Sequence, residues 1–169
     1  MLKAEPITKP FGEAREVVRI MGVDVRNKVP RKKIPILWLK NTARKILEIL
    51  KQDRSELSLA LVGNREMQEL NSRYRKKNEP TDVLSFPSGE RLPIGTQILG
   101  DVVISVEQAE KQATKRKQSL QEEMTSLLVH GILHLLGYDH ERSKKEAKIM
   151  RGMEKKIRRA LCRKQVLRV

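Results

Sequence analysis

The sequence contains three histidines, His130, His134 and His140, and all of them lie within eleven residues. His130 and His134 are four residues apart, so on an α-helix their side chains project from one face, one turn apart. Gly137 is well placed to end such a helix, after which the chain can return His140 to the same point. Three imidazoles that converge in this way predict a metal site with three protein ligands and a fourth position for water.

Zinc is the metal we expect, with one ion per chain, because imidazole suits zinc and the spacing imposes no other geometry. Ligand type alone leaves nickel, copper and iron open. Taken singly, His130 and His134 also fit buried structural histidines, and His140 fits an exposed loop residue. The joint spacing favours the metal site. Asp139 fits either a carboxylate that orients a ligand or a simple turn residue.

The spacing His-x3-His-x2-Gly-x2-His is shared with the metzincin metalloproteases, in which a glutamate follows the first histidine. That glutamate is the general base that acts on the zinc-bound water. Here the position is occupied by Gly131. The pattern therefore predicts the metal ligands of such a protease without its proton acceptor, which argues against peptide hydrolysis.

The hydrophobic pattern predicts the elements that must position these residues. Alternating or continuous apolar runs indicate four strands, and three- and four-residue spacings indicate five helices. Capping-box spacings predict that the last three helices begin at Ser105, Ser119 and Ser143. Asn64 is a plausible cap for the second helix, and Pro35 is a plausible first residue of the first helix. The predicted strands are about 19–25, 56–62, 82–86 and 98–104, and the predicted helices about 35–52, 64–73, 105–117, 119–136 and 143–161.

This order predicts a single α+β domain in which helices pack on a mixed sheet of about four strands. The long helix 119–136, near the carboxyl end, would carry the zinc ligands. We divide the chain into an N-terminal extension at 1–16, the domain itself at 17–161, and a basic tail at 162–169. In the last helix, Ile149, Met153, Ile157 and Leu161 are the predicted apolar stripe, with Met150 on or beside it as a core residue and not a ligand.

The charge balance indicates a polyanionic partner. Lys and Arg number 36 against 21 Asp and Glu, which leaves a net charge of +15. Nucleic acid is the first candidate and an anionic membrane surface the second, while solubilising charge is the plainer alternative. No apolar stretch approaches the ~20 residues that span a bilayer, and the start lacks the apolar region of a secretory signal. The single cysteine cannot form a disulfide within the chain, which favours a reducing compartment, so we expect a cytoplasmic protein. Of the two candidate partners we expect nucleic acid and no membrane.

The segment His130 to His140, HGILHLLGYDH, resembles the signature of the YbeY family of bacterial zinc endoribonucleases, which act in ribosomal RNA maturation and ribosome quality control. Residues 69–75 (ELNSRYR) with 80–87 (PTDVLSFP), and 99–104 (LGDVVI), are similar to two further blocks of that family, so the likeness spans roughly 18–161. The resemblance implies an α+β fold, zinc on His130, His134 and His140, and Arg75 as the basic residue needed for RNA cleavage.

The function implied by the resemblance is a single-strand-directed, zinc-dependent endoribonuclease that matures the 3′ end of 16S ribosomal RNA and takes part in ribosome quality control. Its partners would be ribosomal RNA and ribosomal particles, and no DNA is expected. Two alternatives stay open: a zinc-containing ribosome-assembly or RNA-binding factor without turnover, and another zinc hydrolase. By its residue type alone, Arg75 also fits a surface or ion-pairing arginine.

Overall fold

Five helices and four strands follow one another in the predicted order in the computed structural model, which describes residues 22–91 and 95–166. The predicted α+β class with a four-stranded mixed sheet is confirmed. The division into extension, domain and tail stays a prediction, since residues 1–21 and 167–169 lie outside the described part. The elements are β1 Val23–Asn27, α1 Ile36–Ile49, β2 Ser55–Val62, α2 Asn64–Arg75, β3 Val83–Pro87, β4 Gln97–Ser105, α3 Val106–Arg116, α4 Leu120–Leu135 and α5 Lys144–Val166.

The sheet has the strand order β1-β2-β4-β3. β1, β2 and β4 run parallel, and β3 pairs antiparallel with β4 at the edge. Parallel neighbours need a crossover connection, and α1 supplies one between β1 and β2. β3 can pair antiparallel because only a short connection separates it from β4 in the chain. The mixed character of the sheet therefore follows from the alternation of long and short connections.

The two faces of the sheet are covered unequally. The alternate side chains Leu57, Leu59 and Leu61 of β2 belong to the large core, into which α1, α4 and α5 pack. Val62 and Val103 face the other side, where Met67 of α2 covers them in a smaller cluster. Because strand side chains alternate between faces, one strand supplies both layers. The site-bearing helix α4 thus lies in the thicker layer and α2 on the opposite face.

Helix α4 approaches the sheet at Gly131 more closely than a side chain would allow. A Cβ built at Gly131 would lie 2.8 Å from Cγ1 of Val102 and 3.2 Å from Oγ of Ser85. The Ser85 hydroxyl donates a hydrogen bond to the Gly131 carbonyl oxygen at 3.0 Å, which ties the helix to β3. The residue that separates this chain from the metzincin pattern therefore has no room for a glutamate side chain.

Both ends of α4 are set as the sequence predicts. Ser119 and Glu122 form a reciprocal capping box, and the hydrogen bond from the Ser119 backbone N–H lowers the pKa of the Glu122 carboxyl. At the other end Gly137 has a φ of +91°, a left-handed conformation that glycine adopts without steric cost. The helix therefore ends at Leu135, before the loop that carries His140.

Two details of the predicted helices are wrong. Gly63, not Asn64, is the cap of α2. Asn64 is already helical, and its side-chain oxygen accepts hydrogen bonds from Ser105 Oγ and Gln108 Nε2, both at 3.0 Å, so it links α2 to the start of α3. The local sequence does not reveal this long-range role. An asparagine before a helical pattern looks the same whether it caps its own helix or bonds to another one.

The second error concerns the apolar stripe of α5. Ile149 is 48% exposed, whereas Met150 is 1% exposed and lies in the core with Ile157 and Leu161. A strict four-residue repeat drifts around a helix with 3.6 residues per turn, so Ile149 lies about 120° away from Leu161. The assignment of Met150 to the core is confirmed. α5 also continues to Val166, so the first residues of the predicted tail belong to this helix.

The close approach at Gly131 predicts opposite effects for two glycines in helix interiors. We expect Gly131→Ala to lower the free energy of unfolding by about 1–2 kcal/mol, because overpacking against the stiff Val102 exceeds the gain in helix propensity. Gly152 of α5 is exposed and a Cβ there meets nothing within 4 Å. Gly152→Ala should therefore raise that free energy by about 0.5–1 kcal/mol.

Urea unfolding followed by circular dichroism measures both changes. A gain in stability from Gly131→Ala equal to that from Gly152→Ala would show that α4 has room to spare at Gly131.

Candidate metal centre

The three histidines lie together on one side of α4. His130 and His134 project from the helix, and His140 reaches them from the loop between α4 and α5. Their ring centroids are 4.7, 5.0 and 5.1 Å apart, and one ligand nitrogen from each ring lies within 4.8 Å of the other two. The Nε2 atoms of His130 and His134 are 3.1 Å apart. This arrangement can hold a metal ion.

A Schellman motif turns the chain so that His140 can reach the pair on the helix. The N–H of Gly137 donates to the carbonyl oxygen of His134 at 3.0 Å, and the N–H of Tyr138 donates to that of Leu133 at 3.1 Å. These bonds satisfy the last carbonyl groups of α4 and reverse the direction of the backbone. The position of His140 is therefore set by backbone geometry that the glycine permits.

Asp139 stabilises the same loop. Its Oδ1 accepts a hydrogen bond from the backbone N–H of Glu141 at 2.8 Å, and its Oδ2 lies 3.2 Å from Nε of Arg142. The bond from the Glu141 N–H is the main reason that the pKa of Asp139 is lowered. Among the described residues, none of its hydrogen bonds involves a histidine. Of the two roles open from the sequence, Asp139 has the role of the turn residue.

The carboxylate that orients a histidine comes from α5. Oε1 of Glu154 lies 2.8 Å from Nδ1 of His130. A carboxylate accepts hydrogen bonds, so this contact places the ring proton on Nδ1 and leaves the lone pair of Nε2 directed at the other two rings. The same hydrogen bond lowers the pKa of Glu154 and keeps it ionised. The sequence did not indicate Glu154, because no motif links this residue, one of the two acids on α5, to His130.

The environment of His134 favours the neutral ring that metals bind. Burial lowers the pKa of His134, and the positive charges of His130 and His140 lower it further. A histidine must be unprotonated to bind a metal ion. The lowered pKa therefore favours the metal-binding form of His134, which lies half-buried beside His130 and the exposed His140.

Arg75 reaches the edge of the cluster through an ion pair. It is the last residue of α2, and its Nη2 lies 3.1 Å from Oε1 of Glu141, the residue after His140. The two side chains are 41% and 62% exposed, so the pair adds less than about 1 kcal/mol to stability. Its significance is positional, because it brings an arginine from the opposite layer to the ligand loop. Glu141 is a second residue that the sequence did not indicate.

A histidine pair on a helix and a third histidine from the following turn, on a small α+β domain, are an arrangement typical of metal-dependent hydrolases. Within that class, residues 24–162 match the family described as Endoribonuclease YbeY. The chain belongs to this family, as the motifs of the sequence predict.

Curated relatives named Endoribonuclease YbeY match most of the chain. The relative from Sulfurihydrogenibium is 44% identical over 133 residues, which are 79% of this chain and 88% of the relative. The relative from Persephonella marina is 49% identical over 121 residues, or 71% and 79% of the two chains. The one from Aquifex aeolicus is 47% identical over 127 residues, or 75% and 84%.

The fold also has a solved counterpart. A protein from Thermotoga maritima, whose structure was determined in solution, superimposes with a TM-score of 0.56 at 30% identity. The match covers 80% of this chain and 85% of that one.

Within residues 22–91 and 95–166, no helix combines the length and the apolar character needed to cross a bilayer.

The contact between Glu154 and His130 predicts a selective effect on metal affinity. We expect Glu154→Gln to weaken metal binding about 10- to 100-fold, because the ligand ring is no longer oriented by a carboxylate. Asp139→Asn removes the same charge but keeps the acceptor of the turn, so it should change affinity less than about threefold. A competition titration with a chromophoric chelator measures both values. Equal losses in the two variants would assign the effect to net charge instead.

Proposed function

We propose that this protein is a zinc-dependent endoribonuclease that cuts single-stranded RNA, acting at the 3′ end of 16S ribosomal RNA and in ribosome quality control. The observation that carries the proposal is the convergence of the three histidines beside the pair of Arg75 and Glu141. Membership of the Endoribonuclease YbeY family supports RNA as the substrate. Ribosomal particles are the proposed partners.

Zinc fits the donors that are present. His130, His134 and His140 would hold the ion, and three protein ligands leave a position open for water or substrate. Nitrogen atoms that share a tetrahedral zinc at about 2.0–2.1 Å lie roughly 3.3 Å apart, close to the 3.1 Å between the first two Nε2 atoms. When bound, zinc would supply a Lewis acid and a water of lowered pKa at neutral pH.

Arg75 would bind the phosphodiester that is cleaved. Its guanidinium stays charged at all relevant pH values and can donate two parallel hydrogen bonds to phosphate oxygens. Glu141 engages one of its nitrogens and so holds the side chain next to the ligand loop. Placed there, Arg75 offsets the negative charge that the phosphate gains as the bond to the leaving oxygen breaks.

The wall of the site argues against a peptidase, one form of the alternative zinc hydrolase. A peptidase of the metzincin type needs a carboxylate after the first histidine, and Gly131 is buried against Val102 at that position. Within the described residues, three carboxylates beside the histidines are engaged: Glu154 by His130, Glu141 by Arg75, and Asp139 by the Glu141 N–H and Arg142. RNA cleavage suits this arrangement because the charged phosphate of the substrate can bind beside Arg75.

Exposed cations on two helices adjoin the centre and would hold the RNA backbone. The end of α2 reaches the ligand loop through Arg75, and α5 reaches it through Glu154. Contacts of this kind are made to phosphates, and they make binding sensitive to salt and largely independent of sequence. The exposed basic residues are Arg73, Lys76 and Lys77 on the side of α2, and Lys155, Lys156, Arg159 and Arg163 on α5.

Substitution of Arg75 should separate chemistry from metal binding. We expect Arg75→Ala to lower the cleavage of a single-stranded RNA at least about 100-fold, because no guanidinium then meets the reacting phosphate, and to keep its zinc. Arg73→Ala removes an equal charge two residues earlier, where the guanidinium lies over the Tyr74 ring. This control should lower cleavage less than about fivefold. His134→Ala should abolish both zinc binding and cleavage.

Zinc content and cleavage of a labelled oligoribonucleotide, measured on the same preparations, test this proposal. Cleavage that persists unchanged in both His134→Ala and Arg75→Ala would be due to a contaminating nuclease. The protein would then be a zinc-containing RNA-binding or assembly factor.

The cations of α5 predict a change in salt dependence. We expect the double variant Lys155→Gln and Arg159→Gln to make the negative slope of log K against log salt shallower by about 1.4 for single-stranded RNA, or about 0.7 for each phosphate that is no longer neutralised. Fluorescence anisotropy at several salt concentrations measures the slope. An unchanged slope would show that the RNA does not run along α5.

A further inference from the structure

One aromatic side chain is open to solvent at the end of α2. Of the phenylalanine, tryptophan and tyrosine residues that the structure describes, only Tyr74 is exposed, with a relative exposure of 39%. Tyr74 follows the buried Met67 and Asn71 at helical spacing, so it lies on the side of α2 that faces the sheet. Its ring meets that of Phe86 in β3 edge to face, with the centroids 5.0 Å apart. We call these two rings the aromatic pair.

The aromatic pair and the histidines lie on opposite faces of one strand. Ser85 of β3 donates a hydrogen bond to the carbonyl oxygen of Gly131, the residue after His130. Phe86 is the next residue of β3, and successive side chains of a strand point to opposite faces. β3 is also an edge strand of the sheet. An RNA strand that passes over this edge can therefore reach the histidines on one face and the aromatic pair on the other.

Arg75 connects the aromatic pair with the ligand loop. It follows Tyr74 at the end of α2, and its Nη2 lies 3.1 Å from Oε1 of Glu141. In the proposed function, Arg75 binds the phosphate that is cleaved. Because Tyr74 and Arg75 are consecutive residues, a phosphate bound to Arg75 brings a neighbouring base towards the ring of Tyr74.

The ring of Tyr74 has a face on which a base can stack. The guanidinium carbon of Arg73 lies over this ring, 5.6 Å from the centroid. Arg73 is exposed, so this face of the ring borders solvent and the arginine side chain can move away from it. Stacking of a base on an aromatic side chain is stronger than a cation–π contact at an exposed site. A base can therefore displace the guanidinium, which can then bind phosphate.

We propose that Tyr74 stacks on a base of the RNA next to the bond that is cleaved, and that Phe86 supports its ring. This assignment rests on the proposed function, since it takes RNA as the substrate. Stacking on a side chain requires an unpaired base, because the bases of a double helix are stacked on one another. The aromatic pair thus selects single-stranded RNA, with little regard for sequence because every base has a π face.

Removal of one base at a time from the ligand tests this contact. The full chain is titrated with a 2′-O-methyl oligoribonucleotide, which keeps every base and phosphate, and fluorescence anisotropy gives the affinity. A gel run after each titration confirms that the ligand is intact. We expect an abasic residue to weaken binding at least about fivefold at one position, where the base stacks on Tyr74. Abasic residues that weaken binding at no position would overturn the proposal.

A double-mutant cycle assigns the base to Tyr74. Tyr74→Leu should weaken binding of the intact oligonucleotide at least about fivefold and should bind the intact and abasic ligands equally, because either change alone removes the stack. Tyr74→Phe keeps the ring and should preserve the difference between the two ligands. If the abasic residue weakens binding to Tyr74→Leu by the same factor as to the wild type, the base lies elsewhere and the proposal is refuted.

Leu70→Ala is the matched control for damage to the helix. Leu70 lies one turn before Tyr74 on α2 and packs against the same small cluster as Phe86, but it has no ring. This variant should keep the difference of at least about fivefold between the intact and abasic ligands. Loss of that difference in Leu70→Ala as well would assign the effect to the packing of α2 and overturn the role of the ring.

The two levels of inference fail separately, because the affinities are measured without cleavage. A chain that couples Tyr74 to one base but cuts no RNA refutes the proposed function and retains the stacking site. A chain that cuts single-stranded RNA but shows no coupling between Tyr74 and any base refutes the stacking site and retains the proposed function.

Discussion

The contact between the backbone of α4 and the sheet at Gly131 is the constraint on which the site depends. With no side chain at Gly131, the helix lies directly on Val102 and is bound to Ser85 through its carbonyl oxygen. This contact sets the rotation of the helix, so His130 and His134 project away from the core while their neighbours Ile132 and Leu133 are fully buried in it. The geometry of the metal ligands is therefore a consequence of how the helix packs.

Around this helix, carboxylates from other parts of the chain orient His130 and Arg75. Glu154 directs the Nε2 lone pair of His130 toward its partners, and Glu141 brings Arg75 to the ligand loop. The hydrogen bond between Glu154 and His130 is charge-assisted and half-buried, whereas the more exposed pair of Arg75 and Glu141 adds little stability and acts through position. The proposed function follows the same logic, because the RNA phosphate would meet the Arg75 guanidinium that Glu141 holds next to the ligand loop.

The elements could be predicted because local signals and the final packing agree. The capping box at Ser119 and the glycine at 137 delimit α4 in the structure as they do in the sequence. Local signals gave wrong predictions in two situations. In one, a side chain bonds to a residue far away in the sequence, and in the other, a helical repeat was treated as strictly four residues long. Asn64 bonds to Ser105 and so caps no helix, and Ile149 faces solvent because a repeat of four residues leaves the buried face of α5.

The sequence by itself determined the order of the elements, the α+β class and the histidine spacing, because helix periodicity, capping and turn chemistry are all local. It also indicated Arg75, through the likeness of its flanking residues to a known family. Only the tertiary structure decided that Glu154 orients His130, that Glu141 pairs with Arg75 and that Asp139 is a turn residue. The first two contacts join residues on separate elements, and their distances are set by the packing of those elements. The third is one of several local hydrogen bonds that the loop could form. Spacing along the chain predicts neither kind of contact.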